Sequence, residues 1–133
     1  MGLGKRLKEA RDRKGITQTY AAKMLGITNT ALSNYERGFR DPDTDLLNKF
    51  ARFYGVSSDW LLGLTNDPTT PEQRIESAIS DDTELLEFWQ ELKEREDLQL
   101  LFKQVKPLPP DAIKRIIKYI KMVEDEEAME DEY

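Results

Sequence analysis

The 133-residue sequence contains no cysteine and no histidine. Their absence excludes disulfides, thiolate nucleophiles, imidazole bases and the usual zinc ligands. We therefore predict no metal site and no cofactor. An enzyme would have to work with carboxylates, lysine, serine or tyrosine alone, so we do not expect catalysis.

Long apolar runs are also missing, and no segment approaches the roughly 20 apolar residues that a membrane-spanning helix needs. The first residues, MGLGKRLKEA, are charged from position 5 and lack the apolar core of a signal peptide. Arg6 stands where a myristoylation motif would have serine or threonine. We expect a cytoplasmic protein without a membrane partner.

Glycine is absent from the second half of the chain, because all seven glycines lie within the first 63 residues. Five of them follow stretches with helical apolar spacing, which predicts five short helices joined by tight turns: Gly15, Gly26, Gly38, Gly55 and Gly63. No segment alternates apolar and polar residues with the period of a strand. The sequence predicts an all-α fold.

The net charge of −6 is unevenly divided. Residues 1–64 carry 11 Lys and Arg against 7 Asp and Glu, a net charge of +4, whereas residues 65–133 carry 9 against 19, a net charge of −10. Such asymmetry is typical of a nucleic-acid-binding segment joined to an acidic segment that binds a partner.

The stretch from Thr17 to Gly38, TQTYAAKMLGITNTALSNYERG, contains two short helical patterns joined by a turn. Thr17 and Thr28 are suitable N-caps for the two helices, and Gly26 allows the turn between them. The apolar residues at helical spacing form one inner face: Ala21, Leu25, Ile27, Leu32 and Tyr35. This arrangement predicts a helix-turn-helix.

The other face of the second helix is polar and predicts contacts with DNA bases. Its side chains are Asn29, Thr30, Ser33, Asn34 and Arg37. Asparagine can pair with adenine through its amide, threonine can contact thymine, and arginine suits guanine or a phosphate. The alternative is a helical bundle whose polar face is merely hydrated.

Three consecutive segments resemble the lambda-repressor-like (Cro/CI, or Xre) DNA-binding domain: LGKRLKEAR, the stretch above, and RDPDTDLLNKFARFYGVSSDWLLG. The resemblance covers about residues 1–64. It implies a five-helix DNA-binding domain, a double-stranded DNA operator, and a transcriptional repressor that binds two-fold-symmetric sites as a dimer.

The resemblance also implies roles for single residues. Gln18 matches a glutamine that holds a phosphate, and Arg40 lies where basic side chains contact the DNA backbone. Lys5, Arg6 and Lys23 are further candidates for phosphate contacts, although lysines of this kind can equally be hydrated surface charges.

Arg11 and Glu36 match two family positions that form a buried ion pair between the first helix and the end of the recognition helix. A guanidinium facing a carboxylate makes two parallel hydrogen bonds, which would fix that helix at one angle. The alternative is two unrelated surface charges.

Residues 67–71 are rich in proline, threonine and aspartate, and we interpret them as a linker between a DNA-binding domain (1–66) and a helical segment (72–133) with an acidic tail. The helical segment looks too thin to bury Trp89 and its isoleucine stripe in a monomer. We therefore expect a homodimer or tetramer formed through Leu85, Trp89, Leu92, Ile113, Ile116, Ile117 and Ile120. The simpler alternative is that these residues form the core of a small helical domain.

The main competing function is an antitoxin or adaptor whose acidic helical half binds a partner protein. A self-cleaving repressor would need a peptidase domain, for which the proline-interrupted helical half leaves no room. Induction would then require an outside agent, such as an antirepressor or a protease.

Overall fold

The computed structural model describes residues 2–131, which are helical with no β-strand in that range. The all-α prediction is confirmed. The chain forms two compact units, the first ending at Thr69 and the second beginning at Thr70. Their boundary falls inside the segment 67–71 that the sequence suggested as a linker.

The first unit contains five helices: α1 (Leu3–Lys14), α2 (Gln18–Leu25), α3 (Asn29–Glu36), α4 (Thr44–Tyr54) and α5 (Ser58–Leu61). Helix α1 packs against α3, α4 and α5, and α2 packs against α3 and α4. Helix α3 is thereby held from two sides while its remaining surface faces outward.

Four of these helices start at a side-chain cap. The side-chain oxygens of Thr17, Thr28, Asp43 and Ser57 accept hydrogen bonds of 2.8–3.1 Å from backbone N–H groups three residues later. Each bond satisfies one of the backbone donors that a helix start leaves unpaired. Short polar residues thus determine where each helix begins.

Gly26 forms the turn between α2 and α3. Its φ of 73° lies in the left-handed region, which a residue with a Cβ adopts only at a cost. The N–H of the next residue, Ile27, donates to the carbonyl of Ala22 at 3.0 Å and closes the turn. The chain therefore passes from α2 to α3 in three residues.

The core of the first unit draws on all five helices. Phe50 lies at its centre with Tyr35 edge-on and Tyr54 stacked, both with ring centroids 6.0 Å away. The buried apolar residues are Leu7, Ala10, Ala21, Ala22, Leu25, Leu32, Tyr35, Phe50, Ala51, Tyr54, Val56, Trp60 and Leu61.

The second unit contains α6 (Pro71–Ala78), α7 (Thr83–Leu92), a 3₁₀ turn (Glu96–Leu98), α8 (Gln99–Val105) and α9 (Pro110–Asp131). A capping box opens α6: Thr70 and Gln73 each accept the other's backbone N–H through a side-chain oxygen, at 3.1 and 3.0 Å. Asp82 caps α7 through a hydrogen bond of 3.1 Å from the Leu85 N–H.

Helix α9 continues through the acidic run after Glu124 to Asp131, although acidic side chains oppose the dipole at the C-terminal end of a helix. Two ion pairs support this part of the helix. Arg95 donates to Glu124 at 2.9 Å, and Lys121 donates to Asp125 one turn later at 2.8 Å.

The second unit encloses its own apolar core, and this corrects the predicted oligomerisation surface. Trp89 is fully buried, its ring lies edge-on to Phe102 at 4.9 Å, and its Nε1 donates to Glu76 at 3.0 Å. Of the residues predicted to join two copies, five are buried and two are partly buried in this core: Leu85, Trp89, Leu92, Ile113 and Ile117, then Ile116 and Ile120. Because α6–α9 together cover these side chains fully or in part, we assign them to the core of the second unit, as in the simpler alternative.

Within residues 2–131, no helix is both long enough and apolar enough to cross a membrane.

Candidate nucleic-acid interface

The polar residues of α3 share one outward side of the helix. Asn29, Thr30 and Arg37 are exposed, while Ser33 and Asn34 are half-buried. The positions between them, Leu32, Tyr35 and Glu36, are buried. The five side chains proposed to contact bases therefore lie together on a surface that the rest of the first unit leaves open.

A polar network lies behind this helix and begins with Arg11 and Glu36. Arg11 donates from Nε to Oε2 of Glu36 at 2.8 Å and from Nη2 to Oε1 at 3.1 Å, giving two parallel hydrogen bonds. The Glu36 side chain is only 4% exposed and that of Arg11 13%. The hydrogen bond with Glu36 raises the pKa of Arg11, which favours the charged guanidinium that this pair needs.

Two further contacts extend the network to the start of α2. Arg11 Nη1 donates to the carbonyl of Ile16 at 3.1 Å, and the side-chain amide of Gln18 donates to Glu36 Oε1 at 3.2 Å. The network thus connects α1, the entry to α2 and the last turn of α3. Gln18 is held by one N–H, which leaves its second N–H for another acceptor.

Tyr54 lies near this network with its side chain buried and its hydroxyl without a hydrogen-bond partner. Burial raises the pKa of Tyr54 to about 12, with a smaller contribution from the negative charge of Glu36. The phenol therefore stays neutral beside the ion pair throughout the physiological range.

Gly4 sets the distance between α1 and α3, a role that the sequence analysis missed. A Cβ at this position would lie 2.5 Å from the carbonyl oxygen of Glu36 and 2.6 Å from that of Tyr35. Backbone oxygens cannot move aside as the end of a flexible side chain can. A glycine inside the predicted first helix was the available signal, since glycine disfavours helix interiors and needs another reason to be there.

Arg6 is a correction, because the structure does not leave it available for phosphate. Its guanidinium is buried and donates to the carbonyls of Trp60 and Thr65 at 3.1 and 3.2 Å and to Oδ1 of Asn66 at 3.2 Å. It also lies 4.6 Å from the centroid of the Trp60 ring. Arg6 holds the chain that follows α5, and a hydrogen bond from the Ser57 N–H to the carbonyl of Pro68 continues this attachment.

The other basic candidates stay at the surface. Lys5 and Lys23 are exposed. The guanidinium of Arg37 lies 4.7 Å from the Phe39 ring, and that of Arg40 lies 5.8 Å from the Tyr35 ring. Aromatic rings hold both arginines near the end of α3. The ring of Phe39, between two arginines in the sequence, is a contact that our sequence interpretation did not use.

In the described part of the chain, no group of three or more acidic side chains is arranged to hold a metal ion. The surface offers amides, hydroxyls and guanidinium groups along the outward side of the short helix α3 and just after its end. These groups can donate to phosphates and base edges.

The fold and this surface define a DNA-binding helix-turn-helix protein. Residues 7–61 match the model of the helix-turn-helix family. The chain is 42% identical to the HTH-type transcriptional regulator ImmR of Bacillus subtilis (strain 168), over 90% of this chain and 94% of ImmR. The chain therefore belongs to the Xre-type, lambda-repressor-like family of helix-turn-helix transcriptional regulators.

Two further similarities cover less of the chain. The HTH-type transcriptional regulator DicA of Escherichia coli (strain K12) is 32% identical over 74% of this chain and 75% of its own length. A crystal structure of the P22 c2 repressor with synthetic operator 9T matches 47% of this chain and 94% of its own, with a TM-score of 0.45 and 31% identity.

Proposed function

We propose that this regulator is a repressor that acts in the cytoplasm, where it occupies a short two-fold-symmetric operator as a dimer and blocks transcription of a nearby gene, including its own. The observation that carries this proposal is α3, whose polar side is open while the network on Glu36 fixes its angle. A helix presented in this way fits the major groove of double-stranded DNA.

Base contacts are assigned to the outward side of α3: Asn29, Thr30, Ser33, Asn34 and Arg37. Phosphate contacts are assigned to Gln18, Arg40, Lys5 and Lys23, because Lys5, Lys23 and Arg40 are exposed and Gln18 is bonded to Glu36 at the end of α3. Gln18 is the most constrained of these, since Glu36 already orients its amide. Phosphate contacts would set the register of α3 on the duplex, and the base contacts would select the sequence.

The two units would have different roles, DNA binding for the first and protein association for the second. The first unit, proposed as residues 1–66, carries the net charge of +4 that favours phosphate, whereas the second, proposed as residues 72–133, carries most of the acidic residues. A segment so acidic is repelled by DNA. We assign it to self-association, and to recognition by an outside agent such as an antirepressor or a protease that would end repression.

A pair of substitutions tests the DNA contacts. Arg40→Ala should weaken binding to all sequences alike and lower the salt dependence, because one phosphate contact is lost. Asn34→Ala should cost on the order of 1–3 kcal/mol on the operator and relax preference at one base pair. Lys103→Ala, in the second unit, removes an exposed charge outside the proposed surface and serves as the control.

The experiment has two stages. Selection of bound sequences from random duplex DNA would first define the operator and the spacing of its half-sites. Titrations of that operator and a scrambled duplex at several salt concentrations would then compare the variants. If Asn34→Ala weakened both duplexes equally, the assignment of α3 as the reading helix would be wrong.

The uneven charge favours one competing function, an antitoxin or adaptor whose acidic second unit binds a partner protein. Under that function, a partner would be retained by the wild-type protein and lost when residues 72–133 are removed. In that case, the affinity for the operator would not depend on self-association of the chain. A repressor that binds as a dimer would instead lose operator affinity when self-association is lost.

A further inference from the structure

Helix α9 exposes a stripe of apolar side chains on the side that faces away from the core of the second unit. Tyr119, Met122 and Met129 are each more than half exposed. They are three and seven residues apart, a spacing that keeps them on one face of a helix. Ile113 and Ile117, on the opposite face, are buried. The stripe thus lacks a cover within the second unit.

The charges of α9 change sign along its length. Residues 114–121 contain four basic side chains and no acidic one: Lys114, Arg115, Lys118 and Lys121. Residues 124–131 contain six acidic side chains and no basic one: Glu124, Asp125, Glu126, Glu127, Glu130 and Asp131. Met122 lies where the sign changes.

Some of these charges are engaged inside the second unit. Lys114 pairs with Asp81 at 3.0 Å, Lys121 pairs with Asp125 at 2.8 Å, and Arg95 reaches Glu124 at 2.9 Å. The charges beside the exposed stripe are different ones, and all four are exposed: Arg115, Lys118, Glu126 and Glu130. Their basic members precede Met122 and their acidic members follow it.

We propose that the Tyr119–Met122–Met129 stripe is the surface through which two copies of this chain associate, with the two α9 helices antiparallel and crossing at Met122. Each residue then faces the one at the same distance on the other side of the crossing point. Lys118 of one copy lies opposite Glu126 of the other, and symmetry supplies the same contact twice.

Charge decides between this arrangement and its alternatives. A parallel pair would set basic halves against each other and acidic halves against each other, which is unfavourable. An antiparallel pair matches opposite charges along residues 115–130, a length of about 22 Å at 1.5 Å per residue. A second copy therefore supplies complementary charges on both sides of the crossing point, where the two Met122 side chains contact each other.

This inference deepens the proposed function, because a repressor dimer needs a surface that joins its copies, and it replaces the buried residues that the sequence suggested. It is tested without DNA. Failure of the α9 interface would leave the DNA contacts of α3 untouched, and loss of DNA binding through α3 would leave the association measurement untouched.

Sedimentation equilibrium of the full-length protein, repeated at several concentrations, measures the association. Met122→Glu should raise the dissociation constant of the dimer at least tenfold, because it places two carboxylates at the crossing point. Lys118→Glu and Glu126→Lys should each weaken it by a similar factor, since symmetry doubles the loss. The double variant Lys118→Glu, Glu126→Lys restores opposite charges and should recover most of the affinity.

Two matched controls lie off the stripe. Glu127→Lys makes the same charge change one residue further along α9, and Leu100→Glu places a carboxylate on an exposed apolar residue of α8. Neither should alter the association. Thermal unfolding of every variant checks that the second unit remains folded.

Three outcomes would overturn the inference. They are a wild-type protein that stays monomeric at tens of micromolar, a dimer that persists in Met122→Glu, and a double variant that remains as weak as the single ones while folding normally. A monomeric wild type would assign the stripe to a different protein instead.

Discussion

The two units of this protein treat charge in opposite ways. In the first unit, charged side chains enter the interior, and the buried polar residues of the described chain are all there: Arg6, Glu36 and Ser57. In the second unit, the buried residues are apolar and the ion pairs lie at the surface, as with Arg95 and Asp97.

This difference follows from what each unit has to hold in place. Burying a charge pair costs desolvation energy and contributes little net stability, but its directional bonds fix the groups that carry it. Helix α3, which we propose as the helix that reads DNA, would need a fixed angle to do so, and Arg11 and Glu36 hold its last turn. The second unit presents only a helix face, for which apolar packing suffices.

Trp89→Ala should have the largest effect, since it removes the largest fully buried side chain of the second unit and costs roughly 3–5 kcal/mol. Trp60 is then the only tryptophan left, so fluorescence reports the first unit alone. We expect circular dichroism to show loss of helix from the second unit while the Trp60 transition in urea stays in place. Leu100→Ala, at an exposed position, should change neither signal.

The same substitution also tests whether the second unit has a closed apolar core, in contrast to the first unit with its buried charges. If Trp89→Ala dissociated the dimer without reducing helicity, Trp89 would be an interface residue after all, and the second unit would not have a closed core.

Glu36→Ala should destabilise the first unit by about 3 kcal/mol, because Arg11 would remain largely enclosed with only the carbonyl of Ile16 and the exposed carboxylate of Asp12, 3.9 Å away, as partners. Urea unfolding monitored by fluorescence measures the change. Glu9→Ala removes an exposed carboxylate that lies 3.7 Å from Arg13 and should have almost no effect. Equal effects of the two variants would place the Arg11–Glu36 pair among ordinary surface pairs.

Gly4→Ala should cost about 2–3 kcal/mol, since its methyl group overlaps the carbonyl oxygens of Tyr35 and Glu36 and forces α1 away from α3. Gly2→Ala is the matched control, because nothing lies within 4 Å of a Cβ at that position. Operator affinity of Gly4→Ala at a temperature where it is folded should also fall. An unchanged unfolding midpoint would mean that the two helices can separate freely.

Tyr54→Phe should have the smallest effect at neutral pH, neutral or slightly stabilising, because the hydroxyl that it removes has no partner. The difference appears in alkali. Burial raises the pKa of Tyr54 to about 12, so the stability tied to its neutral form is complete below the unfolded pKa of about 10 and is lost as pH rises towards 12. Wild type should lose more stability than Tyr54→Phe over that window in urea titrations. Parallel losses would show that other groups dominate.

Much of the fold was predictable because short local signals determine it. Thr17, Thr28 and Ser57 are caps whose partners lie three residues away, and the glycines at helix ends have φ values of 67–78°. The pairing of Arg11 with Glu36 was inferred from family resemblance, and the structure brings the two side chains together. Which bases and phosphates α3 and its neighbours contact stays a prediction.

The errors concern contacts between residues far apart in sequence. Arg6 resembled a surface charge because no residue near it in the sequence indicates that Thr65 and Asn66 contact it in the folded chain. The stripe that includes Ile113 and Ile117 looked unpartnered because helical periodicity shows that a face is apolar but not which elements cover it. Gly4 was overlooked for the same reason, since its close neighbours are the carbonyls at the end of α3.

The contact at Gly4 has a practical consequence for fusion proteins. Because α1 begins at Leu3 and Gly4 rests on the last carbonyls of α3, any peptide joined ahead of Gly2 leaves the unit beside the helix proposed to enter the major groove. An affinity tag placed there would compete with DNA for space, and a basic tag would add to the attraction for phosphate that the first unit already has. Binding constants for this regulator should therefore be measured after such a tag has been removed.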